Sequence, residues 1–234
     1  MPFVNKGTVA IAYGVPNLTP TYSGAVGNNL LISPVYWSNP ATTSPPGAPA
    51  GWTTGGATAS GFACFASGGY STGVGLYWQI AAGGSASAAI NASGSGAWAI
   101  NALIAEFSGY QTSSPQDSAV TAFTGSAGPV TSGTITSGVP AQSAELIIVV
   151  YAGPQINSNS NIGLVDPISG FTTLDIQQNN QNHAVGITAY KEITGGGAQS
   201  APETWGQTGE WAAMTIGFKA LTGAGGASIA WVSA

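Results

Sequence analysis

An all-β, antiparallel, jelly-roll-like β-sandwich, built from an internal duplication and closed by a C-terminal arm, is the fold this sequence predicts. Three observations carry that expectation. The stretch from Val74 to Phe107 is echoed from Val185 to Ala220, with Trp98 answering to Trp211, Ile80 to Ile193 and Leu103 to Ile216 at one constant spacing. Self-similarity held over a whole segment marks a repeated structural unit. Apolar residues in both copies alternate with small or polar ones, the two-residue period of a half-buried strand. Gly and Pro, 35 and 14 of the 234 residues, recur between these runs and punctuate them with turns.

Taken in order, Thr8 to Tyr13 alternates with Val9, Ile11 and Tyr13 on one face, and reads as a strand. Asn17 to Gly27, with Pro16 before it and Pro20 within it breaking the pattern, reads as turn. Leu30 to Tyr36 and its counterpart Leu146 to Tyr151 are the next strands; the second is apolar on both faces, as a strand covered on each side must be. A Pro/Gly turn then delivers an aromatic residue and two threonines in each half, Gly51-Trp52-Thr53-Thr54 and Gly170-Phe171-Thr172-Thr173. The ring anchors the turn and the β-branched pair starts a strand.

Each half closes with a strand (Gly75 to Ile80; Gly186 to Ile193), a Gly-rich turn, a polar strand and a Trp-led strand. Two extra residues in the second opening strand predict a bulge there. Leu103, Ala105 and Phe107 share a parity with Met214, Ile216 and Phe218, so the two closing strands present equivalent faces. Gly109 to Ser143, rich in Ser, Thr and Gly but carrying Val120, Phe123, Val130 and Ile135, reads as a packed connection with short strands. The organisation expected is one pseudo-symmetric sandwich over residues 1–220, with half-units of about 1–110 and 111–220, and an arm over 221–234.

Charge excludes several functions. Only 5% of residues are charged, there is no Arg, and the lysines are Lys6, Lys191 and Lys219. Counterion release from phosphates needs several cations, so neither nucleic acid nor an acidic membrane is an expected partner. Disorder does not follow from the low charge, because 44% of residues are hydrophobic and seven are Trp. No apolar run reaches the roughly 20 residues of a membrane span, and Met1 to Gly7 lacks the apolar core of a secretory signal.

Catalytic and metal chemistry find no motif. His183 is the single His and Cys64 the single Cys, too few for a zinc set of the usual kind, and Cys64 between Phe62 and Phe65 reads as core. Gly195-Gly196-Gly197 has no Lys-Ser or Lys-Thr after it, and no Gly-x-Ser-x-Gly elbow occurs. The eight carboxylates are enough in number for a glycosidase pair, but Glu106 and Lys219 at the ends of the repeated strands read as solvated strand ends. No catalytic residue, cofactor or metal is therefore expected. Trp37, Tyr70, Tyr110 and Trp205 fall near loops rich in Asn and Gln and are the candidate sugar-stacking rings, with core packing the competing role for each. Ile229, Trp231 and Val232 make the end of the arm apolar and are the candidate subunit contacts.

The turn Pro49-Ala50-Gly51-Trp52-Thr53, its counterpart Pro167-Ile168-Ser169-Gly170-Phe171-Thr172, the Trp-led strands at Trp98 and Trp211, and the corner Glu106-Phe107-Ser108-Gly109 carry a resemblance. Over about residues 28 to 220 the chain resembles bacteriophage virion-associated β-sandwich structural proteins. The resemblance implies a non-enzymatic role in the virion, as a capsid decoration (cement) protein or a tail appendage. The implied partners are capsid or tail subunits and further copies of the chain. The alternative expectation is a carbohydrate-binding jelly-roll module acting outside the cell in host-surface recognition, with a glycan as its partner.

Overall fold

The computed structural model describes residues 3–6, 10–13, 17–39, 46–64, 70–91, 99–153, 168–177 and 185–221, the side chains of 3–6, 10–13, 38, 39, 57–64, 70, 71, 99, 127–129, 177 and 207 excepted. Among the described residues every regular element is a strand and every pairing is antiparallel. The first half supplies β1 (Phe3–Lys6), β2 (Ala10–Tyr13), β3 (Asn17–Leu18), β4 (Thr21–Ala25), β5 (Leu30–Asn39), β6 (Thr53–Cys64), β7 (Tyr70–Ile80), β8 (Gly84–Ser87), β9 (Ile90–Asn91), β10 (Ala99–Ala102) and β11 (Ala105–Phe107). The second supplies β12 (Gln116–Thr136), β13 (Glu145–Ala152), β14 (Thr172–Gln177), β15 (Gly186–Ile193) and β16 (Ser200–Lys219).

Two main sheets result. In one, β5 lies between β7 and the pair β10 and β11, β6 borders β7, and β1 and β2 border β11 and β10. In the other the order is β12, β16, β13, β15, β14. Jelly-roll winding sends consecutive strands to alternate sheets; here each sheet is filled from one contiguous stretch of the chain. The segments before β5 run back along the segment from β11 to β8 in four short ladders, and β12 runs back along β16 in one long ladder.

Asn17 to Gly27, expected to be a turn, therefore contains the strands β3 and β4. Pro20, between the two, interrupts the ladder without abolishing it, because a proline removes one donor and leaves its neighbours free to pair. The connection expected over Gly109 to Ser143 is mostly β12, one strand of 21 residues. Its Ser and Thr content is compatible with a strand because the outer positions face solvent, while Val120 and Ile135 are buried.

Register corrects the sequence alignment in three places. Thr53 faces Trp78 and Thr54 faces Tyr77; Thr172 faces Tyr190 and Thr173 faces Ala189. Each ladder then skips one residue, Gly55 in β6 and Leu174 in β14, so the bulges lie here. The β13–β15 register runs unbroken, and the bulge expected in Gly186 to Ile193 is absent from it. Extending this match, Leu30 faces Phe107 as Leu146 faces Phe218. The closing strands thus match two residues away from the spacing that joined Trp98 to Trp211, with parity unchanged. Glu106 then corresponds to Gly217, and Lys219 is not its counterpart.

The sheets share a central core. Leu30, Ile32, Leu76, Leu103, Ala105 and Phe107 meet Leu146, Ile148, Val150, Met214, Ile216 and Phe218 in one buried cluster, and the equivalent faces expected for the two closing strands meet in it. The ring contacts across it are reciprocal: Phe107 packs edge-on to Tyr190 at 5.3 Å between centroids, and Phe218 packs edge-on to Trp78 at 6.3 Å. Each sheet also has an apolar outer face. That of the first is covered by Leu18, Tyr22, Trp52 and Ile90; that of the second is covered by the far ends of β12 and β16, which curl back with Ile135, Ala201 and Trp205.

Candidate functional site

Six carboxylates are buried: Glu106, Asp117, Glu145, Asp175, Glu203 and Glu210. Burying a charge costs several kcal/mol unless it is paired or hydrogen-bonded, so each must be accounted for. Glu106, on the outer face of β11, is completely buried and accepts three hydrogen bonds, from Tyr22 Oη at 2.6 Å, the Val26 amide at 2.7 Å and Asn29 Nδ2 at 2.8 Å. It is not the solvated strand end that sequence suggested; it ties the β4–β5 turn to the sheet.

The corresponding place in the second sheet is built differently. Gly217 has no side chain, and the space a Cβ would take is filled by Val120 and the Glu145 carboxyl, whose Oε2 would lie 2.9 Å from it. Glu145 opens β13 opposite Lys219, and Asp117 lies opposite Gly217 in the β12–β16 ladder. The three residues thus gather on one face at one end of the sheet. Asp117 Oδ2 accepts from the Ala141 amide at 2.6 Å and Oδ1 from the Ala119 amide at 2.9 Å; Glu145 Oε1 accepts from the Gln142 amide at 3.3 Å. Glu145 Oε2 is buried without a hydrogen-bond donor, and only a protonated Glu145 can bond to Asp117 beside it.

Two neighbouring buried carboxyls do not both ionise cheaply, which favours holding one proton at the pair. Burial pushes Glu145 up to about 8, helped by the hydrogen bond to Asp117 and by its charge. Burial works the same way on Asp117, but the Ala141 amide, the hydrogen bond from Glu145, the Ala119 amide and the Lys219 charge outweigh it and hold Asp117 below its ordinary value. The chemistry available is that of a stored proton, enclosed by backbone amides. Nothing local in sequence announces the pair: its members lie on different strands, and only the register of β12, β13 and β16 brings them together.

The candidate sugar-binding rings sit inside the protein where their side chains are described. Trp37 is buried over Gly73, whose Cβ would collide with its ring. Trp205 is buried, packs at 6.0 Å from Trp211 and donates Nε1–H to the Val130 carbonyl at 2.7 Å. Tyr110 is buried against Phe107 and donates its hydroxyl to Glu192 at 2.8 Å. The structure does not bring these rings together on a common surface: Trp37 belongs to one outer core, Trp205 to the other, and Tyr110 to the central one. The Tyr70 side chain, His183, Trp98, and the arm residues Ile229, Trp231 and Val232 lie outside the described residues. No group of three or more His, Cys, Asp or Glu suited to a metal ion occurs among the described residues.

No family model, curated protein or solved structure matches the chain.

Proposed function

We propose that the chain is a non-enzymatic structural protein of a bacteriophage virion, seated on the capsid lattice as a decoration protein or carried on the tail as an appendage. One observation carries the reading: the few charges are folded inward. Six of the seven described carboxylates are buried, and among the described side chains the remaining ionic groups are Glu192, which is exposed, and Lys191 and Lys219, which are half-buried. Among the described residues the exterior is mainly Ser, Thr, Gly and Ala, with Val26, Phe123, Val139 and Leu221 exposed among them. Such a surface offers little electrostatic repulsion and suits permanent close neighbours better than free solution. The partners in this reading are capsid or tail subunits and other copies of the chain, with the apolar 221–234 stretch making subunit contacts, by strand addition for example.

Producing particles with and without residues 224–234 tests it. The full chain is expected to co-purify with particles in fixed stoichiometry, and the shortened chain at least about tenfold less, the loss of about 1.4 kcal/mol or more of binding. A full chain that does not co-purify overturns the virion reading; equal occupancy of the shortened chain overturns the arm.

We also infer that the two sheets descend from one five-segment unit by duplication. Supporting this are the common strand order, the same one-residue bulge after a Thr-Thr pair, turns in which the Trp52 amide donates to the Pro49 carbonyl at 3.0 Å and the Phe171 amide to Ile168 at 3.0 Å, and left-handed Gly51 and Gly170 within them.

A further inference from the structure

The hydrogen bonds of the Asp117–Glu145 pair lead to the connection between β12 and β13 and from there to the place where the chain leaves the second sheet. Asp117 holds the Ala141 amide and Glu145 the Gln142 amide. Gln142 in turn donates its side-chain amide to the carbonyls of Ala144 at 2.8 Å and Ala220 at 3.1 Å, and Gln111 Nε2 reaches the same Ala220 carbonyl at 3.2 Å. The Ala220 amide closes on the Ala144 carbonyl at 3.1 Å, and Leu221, half-exposed, follows it. Residues 137–144 contain no titratable side chain of their own, and the carboxyl pair supplies an ionisable hold on this connection. The other charge facing the pair is Lys219, opposite Glu145 on β16; Glu192, opposite Leu146 on β15, lies on the other face of the sheet with its carboxylate taken by Tyr110.

We propose that Asp117 and Glu145 form a proton-operated clasp: while they share one proton they hold the 137–144 connection and, through Gln142, the chain exit at Ala220, and when both ionise the connection is released. The geometry requires a change of this kind. Glu145 is 2% exposed and Asp117 5% exposed, so water cannot screen a second negative charge where they stand. The cheapest relief is movement of residues 139–144, of which Val139, Ala141 and Ser143 are exposed, because Ser137 and Gly138 are held by Gln199 and Val120 and β13 by an unbroken ladder. Glu145, raised to about 8 by burial and then by Asp117, places the release just above neutrality. The inference concerns the chain alone and stands whatever it assembles with.

Amide hydrogen exchange of the full chain by NMR, from about pH 6 to about pH 9, tests it. Protection of Ala141 and Gln142, relative to Ile148 in the middle of β13, is expected to fall at least about tenfold. In Glu145→Gln, which keeps a donor toward Asp117 and cannot ionise, the same ratio should stay within about twofold. A constant ratio in the unmutated chain overturns the clasp, and so does an equal fall in Glu145→Gln. If the variant does not fold, the amide shift of Ala141 in the unmutated chain decides: it must titrate near pH 8, and a flat shift overturns the proposal.

Discussion

The two sheets solve the same problem at the same end in opposite ways. In the first, the closing strand carries its own carboxylate, Glu106, into a site already lined by three donors. In the second, the matching position is Gly217, and the vacated space admits the carboxyl of a neighbouring strand, Glu145, next to another, Asp117. A site with three donors satisfies a carboxylate as it stands. A site with a second carboxyl must instead hold a proton. The backbone plan is common to both sheets, and what differs is which strand supplies the acid and what faces it.

The central core provides the largest test of that common plan. Phe107 and Phe218 occupy matching places, each fully buried and each edge-on to a ring of the opposite sheet. Phe107→Ala and Phe218→Ala are each expected to cost about 4 kcal/mol, the range for a buried Phe whose cavity does not collapse. Urea unfolding should place the two within about 1 kcal/mol of each other. A cost confined to one of them would mean that the sheets do not share the core on equal terms.

Much of this architecture was legible in the sequence because strand parity is a short-range property. The alternation in Leu103, Ala105, Phe107 and in Met214, Ile216, Phe218 predicted equivalent faces, which meet in the central core, and the Gly-aromatic-Thr-Thr turns predicted matching strand starts. What was not legible depended on register. A slip of two residues preserves parity, so the Trp98 to Trp211 match looked sound while the paired strands stand two residues away from it. Glu106 looked like a solvated end because its donors, Tyr22, Val26 and Asn29, lie some 80 residues earlier in the chain. The four aromatics chosen for sugar stacking were selected by proximity to polar loops, a signal that does not tell which side of a strand a ring takes; Trp37 and Trp205 turned inward.

A smaller effect separates the two acid sites further. Glu106→Leu would leave the buried Tyr22 hydroxyl and Val26 amide without their acceptor, and is expected to cost about 3 kcal/mol at pH 5 in urea unfolding. A cost below about 1 kcal/mol would show that water or a neighbouring carbonyl can replace the carboxylate, and that the first site is not built around it.

Glu145→Gln should show the smallest change, under about 1 kcal/mol at pH 5, because the protonated acid and the amide both present a donor to Asp117. The contrast lies in its pH dependence. A carboxyl whose folded value is raised contributes stability below its unfolded value and loses it as pH climbs to the folded one. For Glu145 that window runs from its ordinary 4.5 to about 8, and across it the unmutated chain should lose up to about 1.4 kcal/mol per pH unit. Asp117 acts in the other direction and below this window: its lowered value adds stability that disappears only as pH falls through it. Stability should therefore peak between about pH 4 and pH 5, then decline toward pH 8 in the unmutated chain and much less in Glu145→Gln. Thermal melts at pH 5, 6.5 and 8 decide the matter. Parallel slopes for the two proteins would show that the second site sheds its extra charge without cost, and the distinction between the two sheets would reduce to geometry alone.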